Sequence, residues 1–204
     1  LLLTLTCCRE EEVDLKDPHI RISRFPNGKK AALSITFDDG CPSVFTKIVP
    51  RLDKYQWKGS FYIISGTAEK KEMWDAWKEL RQQGHEIGNH SLTHGYHLGA
   101  LYDKQLLEKE IDSSFALMKA RIGEAPFTFS HPFHSNSPLV DNMVFKNHFA
   151  TRISPAGFCR MISLNDVAFF ETELVGAFNK SEWIVTTAHG IDDCFSPMSQ
   201  EFFD

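Results

Sequence analysis

Two short segments carry side chains that could do hydrolytic chemistry together. Thr36-Phe37-Asp38-Asp39-Gly40 sets two carboxylates side by side, and His90-Ser91-Leu92-Thr93-His94 sets two imidazoles four residues apart. Successive side chains of an extended strand point to opposite faces, so both carboxylates are usable in one place only if the chain turns, and Gly40 supplies that freedom. One carboxylate can then bind a cation while the other accepts a proton. By itself the pair also fits an ordinary turn capping the helix that follows. His90 and His94 would share one face of a helical turn, where both reach a single ion. With one carboxylate they make three protein ligands and leave a coordination position open, the pattern of catalytic rather than structural zinc. The chain has 9 histidines, so such a pair can also arise by chance among exposed loop residues, as nearby His85 and His97 show.

These residues need elements to bring them together. Residues 31–37 read as a buried strand, after which Pro42 and Ser43 open a helical pattern through Val44, Phe45, Ile48, Val49 and Leu52. A strand over 60–64, a helix over 72–83 closed by Gly84, and a short strand over 85–88 follow. The spacing of Leu106, Leu107, Ile111, Phe115 and Met118 predicts a long amphipathic helix over 102–122, closed by Gly123. Beyond Pro126 come a strand at 127–129, a helix over 138–148, a strand over 149–153, a helix over 171–179 and a strand over 183–187. Strict strand–helix alternation implies one α/β domain with a parallel sheet wrapped by helices, open or closed into a barrel. Asp38-Asp39, His90, Ser130-His131-Pro132 and His189 each fall just past the carboxyl end of a predicted strand, the edge at which such folds bind ligands.

The bulk properties exclude several classes. A chain of 204 residues, 42% hydrophobic, is long enough for one domain with a sizeable core. A net charge of -5 without any Lys/Arg run gives no footprint for nucleic acid or an anionic membrane, so a neutral polymer is the better partner. The 5 cysteines show no paired spacing, and the odd number argues against a complete disulfide framework, so most are expected to be reduced or simply buried. The 4 tryptophans and 17 phenylalanines are expected mainly in the core. The start, Leu1-Leu2-Leu3-Thr4-Leu5-Thr6-Cys7-Cys8 followed by charged residues, looks like the end of a secretory leader running into a tether over 1–28. It resembles a lipoprotein lipobox in which Leu5 points to Cys8, with Cys7 where a smaller residue is usual. A short apolar strand is the other reading. Membrane contact is thus expected only through a lipid anchor at Cys8, in a secreted or cell-envelope protein, with the catalytic domain over 29–204.

T-F-D-D-G followed by H-S-L-T-H about fifty residues later resembles the polysaccharide deacetylase family, also called NodB-homology or carbohydrate esterase family 4. The resemblance spans about residues 30–195 and implies a distorted (β/α) barrel of about seven parallel strands. It implies hydrolysis of N-acetyl groups on amino-sugar polymers such as peptidoglycan or a chitin-like glycan, or of O-acetyl groups on xylan. Asp38 matches the family's base, and Asp39, His90 and His94 match its ligands to a divalent metal, usually zinc. Ser130-His131-Pro132-Phe133 sits where the family has R-x-P-[FY], and the resemblance makes the Phe133 backbone N–H an oxyanion donor. Ser130 stands in place of the arginine that orients the base. Arg152 follows a predicted strand on the same edge, but lone arginines are mostly surface residues, and it is expected there. Thr187-Ala188-His189 matches the last motif, L-x-H, with Thr187 for the apolar residue, and His189 matches the proton donor. The fourth motif is missing, leaving Asp166 as a guess for the partner of His189, and His131 replaces a usual Tyr or Pro. The chain stops at Glu201-Phe202-Phe203-Asp204, inside the beginning of a helix, so the barrel is expected to be truncated at the C-terminus.

In that role His189 begins protonated and Asp38 ionised, so activity should fall at both ends of the pH range. The departures at Ser130, His131 and Thr187 keep a glycan-binding member without turnover as an alternative, and a hydrolase of small amides or esters as another.

Overall fold

In a computed structural model of the chain the described residues are 25, 29–152, 159–163 and 167–203. The leader end with Cys7 and Cys8, nearly all of the tether, and Asp166 lie outside them.

The first predicted strand is two, β1 (Ala32–Ser34) and β2 (Thr36–Phe37), interrupted at Ile35. β2 pairs with β3 (Ser60–Ile63), and β4 (Glu86–Asn89), β5 (Thr128–Ser130) and β6 (Ala150–Arg152) follow in order, every pairing parallel. β1 pairs with β8 (Trp183–Thr187), which pairs with β7 (Cys159–Ser163), a strand the sequence reading did not anticipate. The two sheets join where Phe37 bridges to Ala188: the Asp38 N–H donates to the Ala188 carbonyl at 2.8 Å, and the Ala188 N–H to that of Thr36 at 3.2 Å. Counting β1 and β2 as one broken strand, the curved sheet has seven positions, with no β6–β7 pairing among the described residues. This is the distorted, incomplete (β/α) barrel that the family resemblance implied and the alternation permits.

Phe61, Tyr62 and Ile63 are consecutive and all buried, as a strand covered on both faces requires. The covering helices are α1 (Val49–Lys54), continuing a π-helical stretch Val44–Ile48; α2 (Ser65–Lys70), not anticipated; and α3 (Trp74–Gln82). Next come α4 (Lys104–Glu108) and α5 (Ser114–Ile122) joined through a π-helical stretch, then α6 (Pro138–Val144), α7 (Val167–Lys180) and the short α8 (Gln200–Phe203). The predicted helix over 102–122 is therefore nearly continuous. The Asp103 side chain caps it by accepting from the Leu106 N–H at 3.1 Å. It buries Leu107, Ile111 and Met118, each contributing roughly 1.5–3 kcal/mol of apolar transfer. No helix among the described residues is long and apolar enough to cross a membrane.

Two expectations hold only in part. Cys41 and Cys194 form a disulfide across 153 residues, two of the five cysteines, because they follow β2 and β8, which the Phe37–Ala188 bridge makes neighbours, a proximity that no local spacing shows. Phenylalanine is not mainly core either. Phe37, Phe61 and Phe129 are buried, while seven others, Phe133 and Phe195 among them, are exposed. Trp74 and Trp77 are in the core as expected, whereas Trp57 is exposed.

Candidate active site

Asp38 directly follows β2 and is buried. Asp39 and Gly40 both take left-handed backbone, at φ 69° and 71°, and this turn brings the two carboxylates into one site. A Cβ on Gly40 would also lie 3.1 Å from the Trp77 ring, leaving glycine as the residue that turns and packs there.

His90 follows β4. Its Nδ1 lies 2.7 Å from the Ser130 carbonyl, so Nδ1–H donates there and the Nε2 lone pair is left for the site. That Nε2 is 3.6 Å from Asp39 Oδ1, and His94 Nε2 is 3.8 Å from the same oxygen. The two imidazoles do come together, but residues 90–94 are a loop and not a helical turn. Ser91 and His94 adopt φ 66° and 57°. The Asn89 side chain accepts from the Ser91 N–H and the Ser91 hydroxyl from the His94 N–H, both at 3.0 Å. Thr93 donates its N–H and hydroxyl to the buried Glu110 carboxylate at 2.9 and 2.8 Å.

The donor atoms of Asp39, His90 and His94 all lie within 4.8 Å of one another. Asp39 Oδ1 is buried without a hydrogen-bond partner, a state that costs about 1–3 kcal/mol or more unless a cation takes it up. One anionic oxygen and two imidazoles suit a divalent cation. Burial pushes the pKa of His90 below the ordinary histidine range, outweighing the pull of Asp38, which favours the neutral imidazole a metal needs.

Arg152 is the residue the sequence reading misplaced. It ends β6, is buried, and donates to Asp38 Oδ2, to Ser130 Oγ at 2.6 Å and to Thr36 Oγ1 at 3.2 Å. Its guanidinium also lies 4.9 Å from the Tyr62 ring centroid. The β5–β6 register pairs Ser130 with Arg152, so the arginine absent from the motif arrives from the neighbouring strand, and the small Ser130 leaves it room. Burial alone would raise the pKa of Asp38, but the charges of Arg152 and His90 and the bond from Arg152 hold it below the usual carboxylate range. Asp38 Oδ1, like Asp39 Oδ1, is buried without a partner.

His131 belongs to the support. It is buried, its Nδ1 is 2.9 Å from Thr151 Oγ1, and Nε2 stands 3.2 Å from Asp141 Oδ1 without a well-aligned hydrogen bond. Burial lowers its pKa to about 4 despite Asp141, so it is neutral at pH 7. Phe133 adopts φ 55°, ψ 20°, and the bonds that close its turn are donated by the N–H groups of His134 and Ser135. Its ring packs on His94 and His97 with centroids 4.4 and 4.3 Å apart. On another side, His189 Nε2 is 4.0 Å from Asp39 Oδ2, and its ring meets Phe195 edge-on at 5.9 Å.

A family model described as polysaccharide deacetylase matches residues 25–149. A peptidoglycan-N-acetylglucosamine deacetylase of Bacillus cereus is 29% identical over 121 residues, 59% of this chain and 43% of that protein. A second protein of that description from the same species is 32% identical over 122 residues, 59% of this chain and 53% of its own. The chain thus spans about half, or less, of the curated relatives it matches. Among solved structures, a putative polysaccharide deacetylase from Mycobacterium smegmatis aligns with TM-score 0.63 at 17% identity, covering 81% of this chain and 78% of that one. The catalytic domain of a peptidoglycan N-acetylglucosamine deacetylase from Eubacterium rectale aligns with TM-score 0.60 at 18% identity, covering 85% and 82%. At these identities the likeness establishes the fold.

Proposed function

The chain belongs to the polysaccharide deacetylase family, and from that premise we propose that it is a metal-dependent hydrolase removing acetyl groups from a carbohydrate polymer. N-acetylated amino sugars of the peptidoglycan or chitin type come first as substrates, O-acetylated xylan second. The observation that carries this reading is the convergence of Asp39, His90 and His94 around an orphaned carboxylate oxygen, next to a second buried carboxylate paired with Arg152.

In this reading Asp39, His90 and His94 hold the divalent cation, zinc being the first choice. When bound, such a cation supplies Lewis acidity, lowering the pKa of a water from ~15.7 toward ~7 and favouring negative charge on the acetyl oxygen. Asp38 removes the proton from the attacking water. Its Oδ2 is held by Arg152, so its partnerless Oδ1 is the basic atom. Arg152 acts as a positioning residue, fixing the carboxylate and keeping it ionised. The oxygen of water bonds to the acetyl carbon, and the Phe133 N–H donates to the oxyanion, an interaction typically worth ~2.7–4 kcal/mol in the transition state. His189 gives a proton to the sugar nitrogen as the C–N bond breaks, and the products are acetate and a free amine. The Ser130 departure that favoured a non-hydrolytic member is offset by Arg152, which supplies the guanidinium from β6. The proposal extends to a cell-envelope location through lipidated Cys8; a Cys8→Ser variant still retained in the membrane fraction would remove that part.

The decisive experiment measures metal content and acetate release for the wild-type protein and His90→Ala. Substrates are N-acetylated chitotetraose, peptidoglycan and acetylxylan. Expected are about one divalent metal per chain and acetate release for the wild type, with both lost in the variant. Metal-loaded wild type that frees no acetate from any of the three refutes the reading.

A further inference from the structure

One exposed ring beside this site stays out of the steps described above. Phe195 is 78% exposed, and a single exposed phenylalanine is ordinarily unremarkable. The backbone presenting it is not ordinary. Asp192, Cys194 and Ser196, alternate residues around the ring, all adopt left-handed backbone at φ 57°, 60° and 45°, a strain of roughly 1–3 kcal/mol each outside glycine. The loop is pinned to the segment just after Asp39 by the Cys41–Cys194 disulfide and by Asp193, which accepts from the Ser43 N–H at 2.8 Å and hydroxyl at 2.5 Å. Lys47 pairs with Asp192 at 2.8 Å, and Ile191 bridges to Met198. Gly190 has to lack a side chain, because a Cβ there would stand 1.9 Å from Asp193 Oδ1 and 2.9 Å from Cys41 Cβ.

All this restraint fixes a ring that the fold does not bury. The contacts form one row: Phe195 on His189, His189 near Asp39, Asp39 near His94, and His94 on Phe133, itself 49% exposed. The row has the candidate metal centre in its middle and an exposed aromatic face at each end. An aromatic face held rigid in solvent suits the apolar C–H face of a pyranose, and preorganisation removes the entropy cost of ordering it on binding.

We propose that Phe195 is a stacking platform for the sugar ring next to the acetylated one, so that the substrate is an oligomer or polymer and not a monosaccharide. This rests on the carbohydrate reading of the site. The test compares wild type, Phe195→Ala and Phe195→Trp on N-acetylated chitotetraose and on methyl acetate, a small ester with no ring to stack on Phe195. For Phe195→Ala, KM for the tetramer should rise about tenfold, the effect of losing one good aromatic stack, with kcat/KM for the small ester unchanged. Phe195→Trp should restore the tetramer KM. An unchanged tetramer KM in Phe195→Ala, or equal losses on both substrates, overturns the proposal, the latter by making the ring a support for His189. Titration calorimetry of chitotetraose on chelator-treated protein gives a readout without turnover, and the same tenfold weakening is expected there. If the wild type binds the tetramer through Phe195 yet releases no acetate, the deacetylase reading fails and the platform stands. If the wild type does not bind the tetramer at all, the platform fails.

Discussion

Replacing Arg152 with alanine leaves the Asp38 carboxylate buried with its main counter-charge gone. Both side chains are almost fully buried, at 4% and 6% exposure, so solvent screening cannot take over. Removing one member of a buried pair typically costs about 3–5 kcal/mol, and Ser130 and Thr36 lose a donor as well. Asp38 has one escape, which is to take up a proton. In the native protein Arg152 and His90 hold its pKa below the ordinary carboxylate value against burial. A carboxyl depressed in this way contributes stability that is present above its unfolded pKa and lost as pH falls through the folded one. Without Arg152 burial dominates, the pKa rises above the unfolded value, and the sign reverses, so stability falls as pH climbs. The gap between the two proteins should therefore be near 3–5 kcal/mol at pH 7.5 and clearly smaller at pH 4.5. Urea unfolding followed by circular dichroism at both pH values measures it. A gap below about 1 kcal/mol at pH 7.5, or one that does not change with pH, would refute the pairing. Arg152→Lys keeps a charge but not the fork that reaches Asp38, Ser130 and Thr36 together, so it should recover only part of the loss.

Three further outcomes are expected. Zinc at a hundredfold excess over its Kd should stabilise the wild type by ~2.7 kcal/mol and leave His90→Ala unmoved in thermal unfolding, whereas equal shifts in both would place the ion elsewhere. Reduction of the Cys41–Cys194 disulfide should cost typically 2–4 kcal/mol, with about 5 kcal/mol as the chain-entropy ceiling for a closed loop of 153 residues; unfolding with and without reductant measures this. His131, with a folded pKa near 4 against ~6.5 unfolded, resists protonation in the fold, so its contribution is complete above pH ~6.5 and drains away between there and pH ~4. The full swing is about 3 kcal/mol, and a His131→Phe variant should flatten that part of the stability curve if the ring can be accommodated.

The strand–helix alternation was legible because each element carries its own periodicity and punctuation. The residues of the candidate metal centre were legible too, since D-D-G and H-x-x-x-H are local patterns at strand ends. The geometry behind the second was not: helical spacing suggested a shared face, but two left-handed residues and bonds from Asn89, Ser91 and Glu110 shape a loop that does the same work. Arg152 could be placed on the right edge but not in its role, because that depends on which residue of β6 lies opposite Ser130, and strand register across a parallel sheet leaves no mark in a single sequence. The disulfide was hidden for a related reason. Cys41 and Cys194 meet only once β8 has joined β2, and no local spacing encodes that.

That join also orders events in time. Asp39, His90 and His94 follow β2 and β4, and the groups that hold the two histidines, Glu110 and Ser130, come no later than β5, all consecutive in both sequence and space. His189 comes with β8, whose continuation at Ala188 is zipped to Phe37 and Asp38, so the proposed proton donor arrives only when β8 joins β2. In the proposed reading a growing chain would thus assemble its cation ligands early, once β2 to β5 are in place, while remaining unable to turn over. Hydrolytic competence would then be a late property of the chain, reporting that β8 has joined β2.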